Sequence, residues 1–221
     1  MLLAEDLLLL LTDDVSGRLV VSGSYVDVAL GGAQLVDLSL TGRVDIDDRK
    51  RLVVLDGSPT GETLLDDALV VVQRHAGKKP SAVIAPLGKR LRPALYERLE
   101  RTGILRCEHG KVLGLFPTTS WPTAAAEHEA VVRRVLVGLL VHGLPPEPRP
   151  AALVALLHAL RCTHKVVDPK EHGVRRRELD RRAKEIAEGN WGSQAVRQTI
   201  DAMMAAVTAA VTAATVASTS G

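Results

Sequence analysis

Three cationic side chains, Lys89, Arg90 and Arg92, stand directly before Pro93 in the sequence. Proline is favoured in the first turn of a helix, where its missing N–H would have no partner, so a helix is predicted over 94–102. The free N–H groups and the positive dipole end of that helix would point at the three cations. Each cation placed there costs about 0.3 to 1 kcal/mol unless an anion offsets it. The pattern therefore predicts a phosphate-like ligand, with a solvated surface turn as the simpler interpretation.

Signatures of catalysis are missing from the sequence. It contains no nucleophile elbow, no HExxH, no GxGxxG and no phosphate-binding P-loop, so we predict a non-enzymatic protein without a cofactor and without catalytic residues. His158, Cys162 and His164 come nearest to a metal-ligand set, but their spacing fits no standard zinc site, and no metal is expected. Cys107 and Cys162 form no CxxC pair, which suits a reducing, cytoplasmic compartment.

The composition is that of a soluble globular protein, with 46% hydrophobic and 24% charged residues among 221. A net charge of +2 and an aromatic content of 2% argue against nucleic acid as a partner. The apolar stretch 1–11 lacks the features of a signal peptide, and 202–217 is too short for a spanning helix, so both are expected to be buried helices. The abundance of Ala, Arg, Leu and Val suggests a bacterial source.

The spacing of apolar residues predicts a mainly α fold, a single-domain helical bundle with short β-hairpins. The domain is expected to span 1–221, with a subdomain break at 144–150 as the alternative. Helices are predicted over 2–12, 26–41, from 58–60 to 72, 81–87, 94–102, 124–141 (capped by Thr123), 151–161, 171–188 and 191–217. Strands are predicted at 19–21, at 44–46 paired with 52–55, and in a protruding hairpin near 104–116 whose polar turn is 108–111.

Two further interpretations remain open from the residues alone. The short helix and hairpin over 91–116 imitate the recognition helix and wing of a winged-helix DNA-binding module, although the chain is nearly neutral. Alternatively, the protein is a protein-protein scaffold without a lipid ligand, in which the hairpin makes oligomer contacts.

Several stretches, in order along nearly the whole chain, resemble the Golgi phosphoprotein 3 (GPP34) family. They are 7–13, 33–43 (AQLVDLSLTGR), 59–69 (PTGETLLDDAL), 91–105 with its ERLERTGIL ending, and 113–122 (LGLFPTTSWP). The resemblance implies a mainly helical domain with a protruding hairpin. It also implies a peripheral membrane adaptor that binds phosphatidylinositol 4-phosphate, that recruits client proteins and that can form homo-oligomers. Its expected location is therefore cytoplasmic and peripherally membrane-associated.

The resemblance also implies site residues. In eukaryotic members, a Trp and an Arg early in the chain and two later Arg residues hold the lipid headgroup. The later pair falls on Lys89 and Arg92 here, beside Arg90, while the early Arg falls on Gly31 and the Trp on Ser22. The basic pair is kept and the other half is lost, which predicts a looser preference for anionic lipids.

The family hairpin helps to hold the membrane and, in some members, to form oligomers. Here its apolar residues are Val112, Leu113, Leu115 and Phe116. One inserted Leu or Phe contributes only about 1.5 to 3 kcal/mol, so membrane binding is expected to require charge as well as insertion.

Overall fold

The chain folds mainly into helices, as its apolar spacing predicts. The computed structural model describes residues 1–112, 116–189, 200–205, 207–209 and 212. The helices are α1 (Leu3–Leu10), α2 (Gly23–Leu40), α3 (Thr63–Gln73), α4 (Ser81–Gly88), α5 (Leu91–Arg101), α6 (Glu127–Leu140), α7 (Pro148–Ala159), α8 (Thr163–Val166) and α9 (Arg176–Ala187). Two antiparallel hairpins are present, β1 (Val44–Ile46) with β2 (Leu52–Val54) and β3 (Glu108–Val112) with β4 (Phe116–Ser120).

Helix α1 lies at the centre of the core, and all eight of its residues are buried. Its leucines surround the helix axis, so the helix has to be enclosed by its neighbours α2, α5, α6 and α7. The Glu5 carboxylate accepts a hydrogen bond of 2.7 Å from the amide of Leu2 and satisfies one free donor at the helix start. Helix α2 is the second hub, since it packs against α1, α3, α4, α5 and α7.

Helices α2 and α4 approach each other until their backbones touch. A Cβ atom added to Gly31 would lie 2.2 Å from the carbonyl oxygen of Ile84. A Cβ atom added to Gly88 would lie 2.0 Å from the carbonyl oxygen of Asp27. Glycine at both positions therefore sets the distance between the two helices, and it fixes the end of α4 on α2.

Most of the predicted helices are confirmed, with ends that differ by a few residues. The charged stretch predicted over 171–188 contains α9, which buries Leu179, Ala183 and Ile186 and turns its charged side chains to solvent. The helix predicted over 191–217 is helical at 200–205, 207–209 and 212, and the rest of that range lies outside the described residues. Helix α7 begins at Pro148, inside the predicted 144–150 connector, and packs against α1 and α2. The exact extent of the domain stays a prediction.

Two local predictions are wrong. The apolar run at 19–21 forms no strand, because only Leu19 makes an isolated bridge, to Thr12, and that part of the chain covers the core as a loop. Thr123 does not cap α6, which begins at Glu127. The Thr123 hydroxyl instead donates a hydrogen bond of 2.6 Å to Asp14 in the first loop.

The second hairpin is shifted along the sequence relative to its prediction. Strand β3 pairs with β4 in a register that places Glu108 opposite Ser120 and Val112 opposite Phe116. The predicted turn, 108–111, therefore lies within a strand. The error has a physical cause: β3 is mostly polar and solvent-exposed, so it lacks the apolar alternation by which a strand is recognised.

A buried carboxylate lies near the start of α6. The Glu129 side chain is only 3% exposed, and its Oε1 accepts a hydrogen bond of 2.8 Å from Nε of Arg133, one turn later. Burial raises the pKa of Glu129 to about 7, with Asp14 adding to the rise and Arg133 opposing it. The folded protein therefore holds a proton that the unfolded chain releases near pH 4.5.

This proton makes stability depend on pH. We expect Glu129 to contribute a fall of about 2 kcal/mol in the free energy of unfolding as pH rises from 5 to 8, because its carboxyl group must then ionise while buried. In a Glu129→Gln variant the side chain cannot ionise, so the fall between pH 6 and 8 should shrink. Urea denaturation across this range measures it, with Glu127→Gln on the exposed face of α6 as the control. A Glu129→Gln variant with the wild-type pH slope would contradict the assignment.

Candidate functional site

The junction between α4 and α5 is a two-residue turn formed by Lys89 and Arg90. Arg90 has φ of 61°, in the left-handed region that residues other than glycine rarely adopt. This turn lets α5 begin at Leu91, three residues earlier than predicted, so that Pro93 is the third residue of the helix. Both cations of the turn are exposed.

This geometry corrects the electrostatic argument made from the sequence. Lys89 follows the carbonyl end of α4 directly, and that end of a helix favours cations. The amide end of α5, which disfavours them, meets α4 at the same point. The two helix ends have opposite effects on the energy of a cation at the junction. The dipole of α5 therefore does not by itself require an external anion here. A ligand at this junction would be held by side chains and by the space between them.

Arg92 forms an ion pair within the protein. Its Nε lies 3.0 Å from Oδ1 of Asp27 on α2, and its Nη2 lies 3.4 Å from Oδ2. In the part of the chain that the structure describes, no carboxylate oxygen comes within 4.0 Å of the charged nitrogens of Lys89 or Arg90. The three cations predicted to act together thus divide into one internal ion pair and two side chains open to solvent.

The two positions where the resemblance places the missing Trp and Arg lie near the same junction. Ser22 precedes α2, and its Oγ is 3.1 Å from Oγ of Ser24. The next residue, Gly23, lies so close to Arg92 that an added Cβ would be 2.5 Å from Nη1. Gly31 is buried against α4, beside Gly88, and the space for a side chain there is taken by backbone. The structure therefore brings all four positions to one region, although only the basic pair carries charge.

A surface cleft of about 670 Å³ opens between α2 and the junction. Its size is within the range of small-molecule pockets. Eight residues line it: Ser24, Asp27, Val28, Ala85, Pro86, Gly88, Lys89 and Arg90. The ion pair with Arg92 balances the Asp27 charge, so the two exposed cations decide the sign of the potential at the cleft. This arrangement can hold an anionic group.

Arg92 also lines a second cleft, of about 440 Å³, which the sequence did not indicate. Its other residues come from 17–19, the first half of α5 and 119–121. The rings of Tyr96 and Trp121 stack there with centroids 4.8 Å apart, and the Tyr96 hydroxyl is 2.9 Å from Oγ1 of Thr12. The chain has only two Trp and two Tyr, and this scarcity is the one signal that could have drawn attention to the pair.

Of the apolar hairpin residues, the structure describes the backbone of Val112 and Phe116. Val112 and Phe116 are paired at the end of the β3–β4 ladder. Their side chains, together with Leu113 and Leu115, lie outside the described residues. The predicted role of the hairpin in membrane or oligomer contacts therefore stays a prediction.

The cysteines and histidines are the remaining candidates for a metal site. Within the described ranges, no three His, Cys, Asp or Glu side chains come together as a metal site would require. Burial raises the pKa of the Cys162 thiol to about 12 and lowers the pKa values of His158 and His164. Among the same residues, no helix has the length and apolar character needed to cross a bilayer.

A family model described as Golgi phosphoprotein 3 (GPP34) matches residues 3–203, a range that includes α1 to α9 and β1 to β4. The chain belongs to the Golgi phosphoprotein 3 family. It is also similar to "Vacuolar protein sorting-associated protein 74" of Eremothecium gossypii, with 28% identity over 219 residues. That alignment covers 81% of this chain and 65% of the relative, so the chain spans slightly less than two thirds of the relative's length.

Membership in the Golgi phosphoprotein 3 family confirms the resemblance seen in the sequence and supports the expectation of a non-enzymatic protein. The winged-helix interpretation of the helix and hairpin over 91–116 stays a prediction. The comparisons give no support to a bacterial source.

Proposed function

We propose that this protein is a non-enzymatic peripheral membrane adaptor whose cleft beside α4 and α5 binds an anionic phospholipid headgroup, of the phosphatidylinositol 4-phosphate type. Client proteins and a homo-oligomer are its further proposed partners, and the cytoplasmic face of a membrane is its proposed location. The cleft of about 670 Å³ carries the proposal, because Lys89 and Arg90 line it and neither is paired with a carboxylate of the described residues.

The backbone of both residues is held in place by packed elements on either side. Lys89 follows Gly88, which is fixed on α2 by backbone contact, and Arg90 is followed directly by the buried Leu91. Holding Arg90 at a positive φ costs about 1 kcal/mol or more, and such strain is often kept where a side chain has a function. A phosphate at the cleft would offset the charges of both residues.

Selectivity among anionic lipids is expected to be low. Ser22 and Gly31 supply neither the ring nor the guanidinium that the resemblance associates with the headgroup. Recognition would then depend on Lys89 and Arg90, with Ser24 as a neutral hydrogen-bonding group in the cleft. Charge, rather than the pattern of hydroxyls on the lipid, should dominate the affinity.

Vesicle co-sedimentation tests the proposal. We expect the full chain to pellet with phosphatidylcholine vesicles that contain phosphatidylinositol 4-phosphate or phosphatidylserine, and to stay in solution with phosphatidylcholine alone. In the variant Lys89→Ala/Arg90→Gly, two cations are lost at about 1 kcal/mol each, so binding should weaken roughly 30-fold. Glycine suits the positive φ at 90, which protects the fold.

A matched control variant is available later in the chain, at positions 161 and 170. Arg161 is exposed and has φ of 54°, and Lys170 is exposed in the loop before α9. The variant Arg161→Gly/Lys170→Ala therefore removes the same charge and relieves the same kind of strain, and it should bind as the wild type does. Equal pelleting with neutral and anionic vesicles, or equal loss in both variants, would overturn the proposal. Light scattering that shows an oligomer without lipid binding would favour a scaffold instead.

A further inference from the structure

A second basic cluster lies at the opposite end of α4. The β1–β2 turn contributes Arg49, Lys50 and Arg51, and the loop before α4 contributes Lys78 and Lys79; we call these five exposed residues the distal basic cluster. In the portion of the chain that the structure describes, no carboxylate oxygen lies within 4.0 Å of their charged nitrogens. The positive charges of the cluster are therefore not neutralised by ion pairs among the described residues.

Hydrogen bonds hold the two loops of the distal basic cluster together. The amide of Leu52 donates to the carbonyl of Lys78 at 2.8 Å, and the amide of Gly77 donates to the carbonyl of Leu52 at 2.8 Å. Nη1 of Arg51 donates to the carbonyl of Gly77 at 3.1 Å. These bonds extend the β1–β2 sheet towards α4 and fix the five cations as one surface.

The acidic residues near the cluster only partly offset it. Asp47 and Asp48 belong to the same turn, but Oδ1 of Asp47 accepts hydrogen bonds from the amides of Arg49 and Arg51 and so serves the turn itself. Asp201 lines a groove of about 390 Å³ together with Lys50 and Lys79. The described residues of this turn, this loop and this groove thus include five Lys or Arg and three Asp side chains, an excess of positive charge.

Helix α4 joins the distal basic cluster to the candidate headgroup cleft. Its exposed residues include Ala82, Ala85 and Pro86, and helical spacing places them on one side with Lys89. The helix has no acidic residue and eight residues in all, so the two basic regions are separated by about 12 Å. The exposed surface is thus cationic at both ends and small and apolar between them.

We propose that α4 lies along an anionic lipid bilayer, with the distal basic cluster as a second membrane contact beyond the headgroup cleft. The inference rests on the proposed function, because the cleft sets which face meets the membrane. Charge complementarity selects the occupant: phospholipid phosphates can reach both ends of α4 at once, and the small side chains between them let the helix approach the headgroups. Polybasic surfaces are attracted to anionic leaflets in this way, and salt weakens the attraction.

The test uses a variant of the cluster that preserves the turn. Lys50 has φ of 60°, so Lys50→Gly suits the backbone, and it is combined with Lys78→Ala and Lys79→Ala. Each cation near an anionic surface changes binding about five-fold, so the loss of three should weaken binding of the full chain to phosphatidylcholine/phosphatidylserine vesicles by about 100-fold. The matched control is Arg161→Gly/Lys170→Ala/Arg177→Ala, which removes three exposed cations from another region and should bind as the wild type does.

Calorimetry with inositol 1,4-bisphosphate, a soluble headgroup, separates the two proposals. The distal-cluster variant should bind it as the wild type does while losing vesicle binding, and Lys89→Ala/Arg90→Gly should lose both. If the distal-cluster variant binds vesicles like the wild type, the second contact is overturned while the cleft stands. If Lys89→Ala/Arg90→Gly changes neither readout, the proposed function fails, and the vesicle result still decides the second contact. Binding to a DNA duplex as tight as binding to vesicles, and lost in the same variant, would overturn a lipid surface as the occupant.

Discussion

Replacing Gly31 with alanine is expected to lower the free energy of unfolding by about 3 kcal/mol, as overpacking of a buried contact does. The added Cβ would lie 2.2 Å from the carbonyl oxygen of Ile84 and 2.7 Å from the amide nitrogen of Gly88. Both atoms belong to the backbone of α4, which has no flexible end that could move aside. The helices would have to separate, and urea denaturation with circular dichroism measures the cost.

Gly138→Ala is the control for this prediction. Gly138 is also buried in a helix, but a Cβ there would meet the exposed side chain of Leu144, whose Cδ1 tip would lie 2.8 Å away and whose Cγ would lie 3.6 Å away. That tip can rotate away, and alanine is the better helix former by about 1 kcal/mol, so the control should be neutral or slightly stabilising. A Gly31→Ala variant as stable as this control would show that α2 and α4 can tolerate a wider spacing.

The same contact bears on the candidate site. Since α4 ends at Gly88 and Lys89 follows it, any outward shift of α4 moves Lys89 and Arg90 relative to Asp27. For this reason an arginine at position 31 would not simply restore the missing part of the headgroup site. In this chain the position is part of a helix contact, and headgroup binding has to be supplied by the residues of the junction.

The helices could be predicted because apolar periodicity is a local property of the chain. The spacing of Val26, Leu30 and Ala33 follows from the face that α2 presents to the core, and all three are buried. The β3–β4 hairpin could not be placed, since its polar strands follow no such pattern, and residues that are typical of a turn lie in β3 instead. Pairing across the hairpin, rather than local sequence, decides its register.

The candidate site could be predicted only where its residues are neighbours in sequence. Lys89, Arg90 and Arg92 lie within four consecutive residues, so the sequence alone shows the concentration of positive charge. The partner of Arg92 is Asp27, 65 residues away, and only the packing of α5 against α2 brings the two together. The role of Gly31 is equally non-local, because the residue is constrained by α4 and has no side chain that could mark it.

Two buried carboxylates share one arginine near the start of α7. Nη2 of Arg149 lies 2.8 Å from Oδ2 of Asp6 on α1, and its Nη1 lies 3.0 Å from Oδ1 of Asp37 on α2. The carboxylate side chains are only 5% and 6% exposed. Asp37 also accepts a hydrogen bond of 2.7 Å from the amide of Leu3, and His128 lies 2.7 Å from Oδ1 of Asp6. One guanidinium therefore ties three helices of the core together.

Arg149→Met is expected to destabilise the protein by about 3 to 5 kcal/mol at pH 8, because the variant leaves two buried carboxylates without their shared cation. Burial already raises the pKa of Asp37 to about 6 even though Arg149 lowers it, so the pKa should rise further in the variant. At pH 5 the carboxyl group can take up a proton and lose its charge. The cost of the substitution should therefore be smaller at pH 5 than at pH 8, and urea denaturation at both values measures the difference.

Arg106→Met provides the comparison, since Arg106 and Glu108 form an ion pair of 2.7 Å whose side chains are 59% and 52% exposed. An exposed pair contributes about 1 kcal/mol or less, so this variant should remain near the wild type at both pH values. Adding Asp37→Asn to Arg149→Met should recover part of the loss at pH 8 and little at pH 5, because the amide carries no charge to bury. An Arg149→Met cost that matches Arg106→Met, or that is the same at pH 5 and pH 8, would mean that the carboxylates find other partners and that Arg149 does not hold the three helices together.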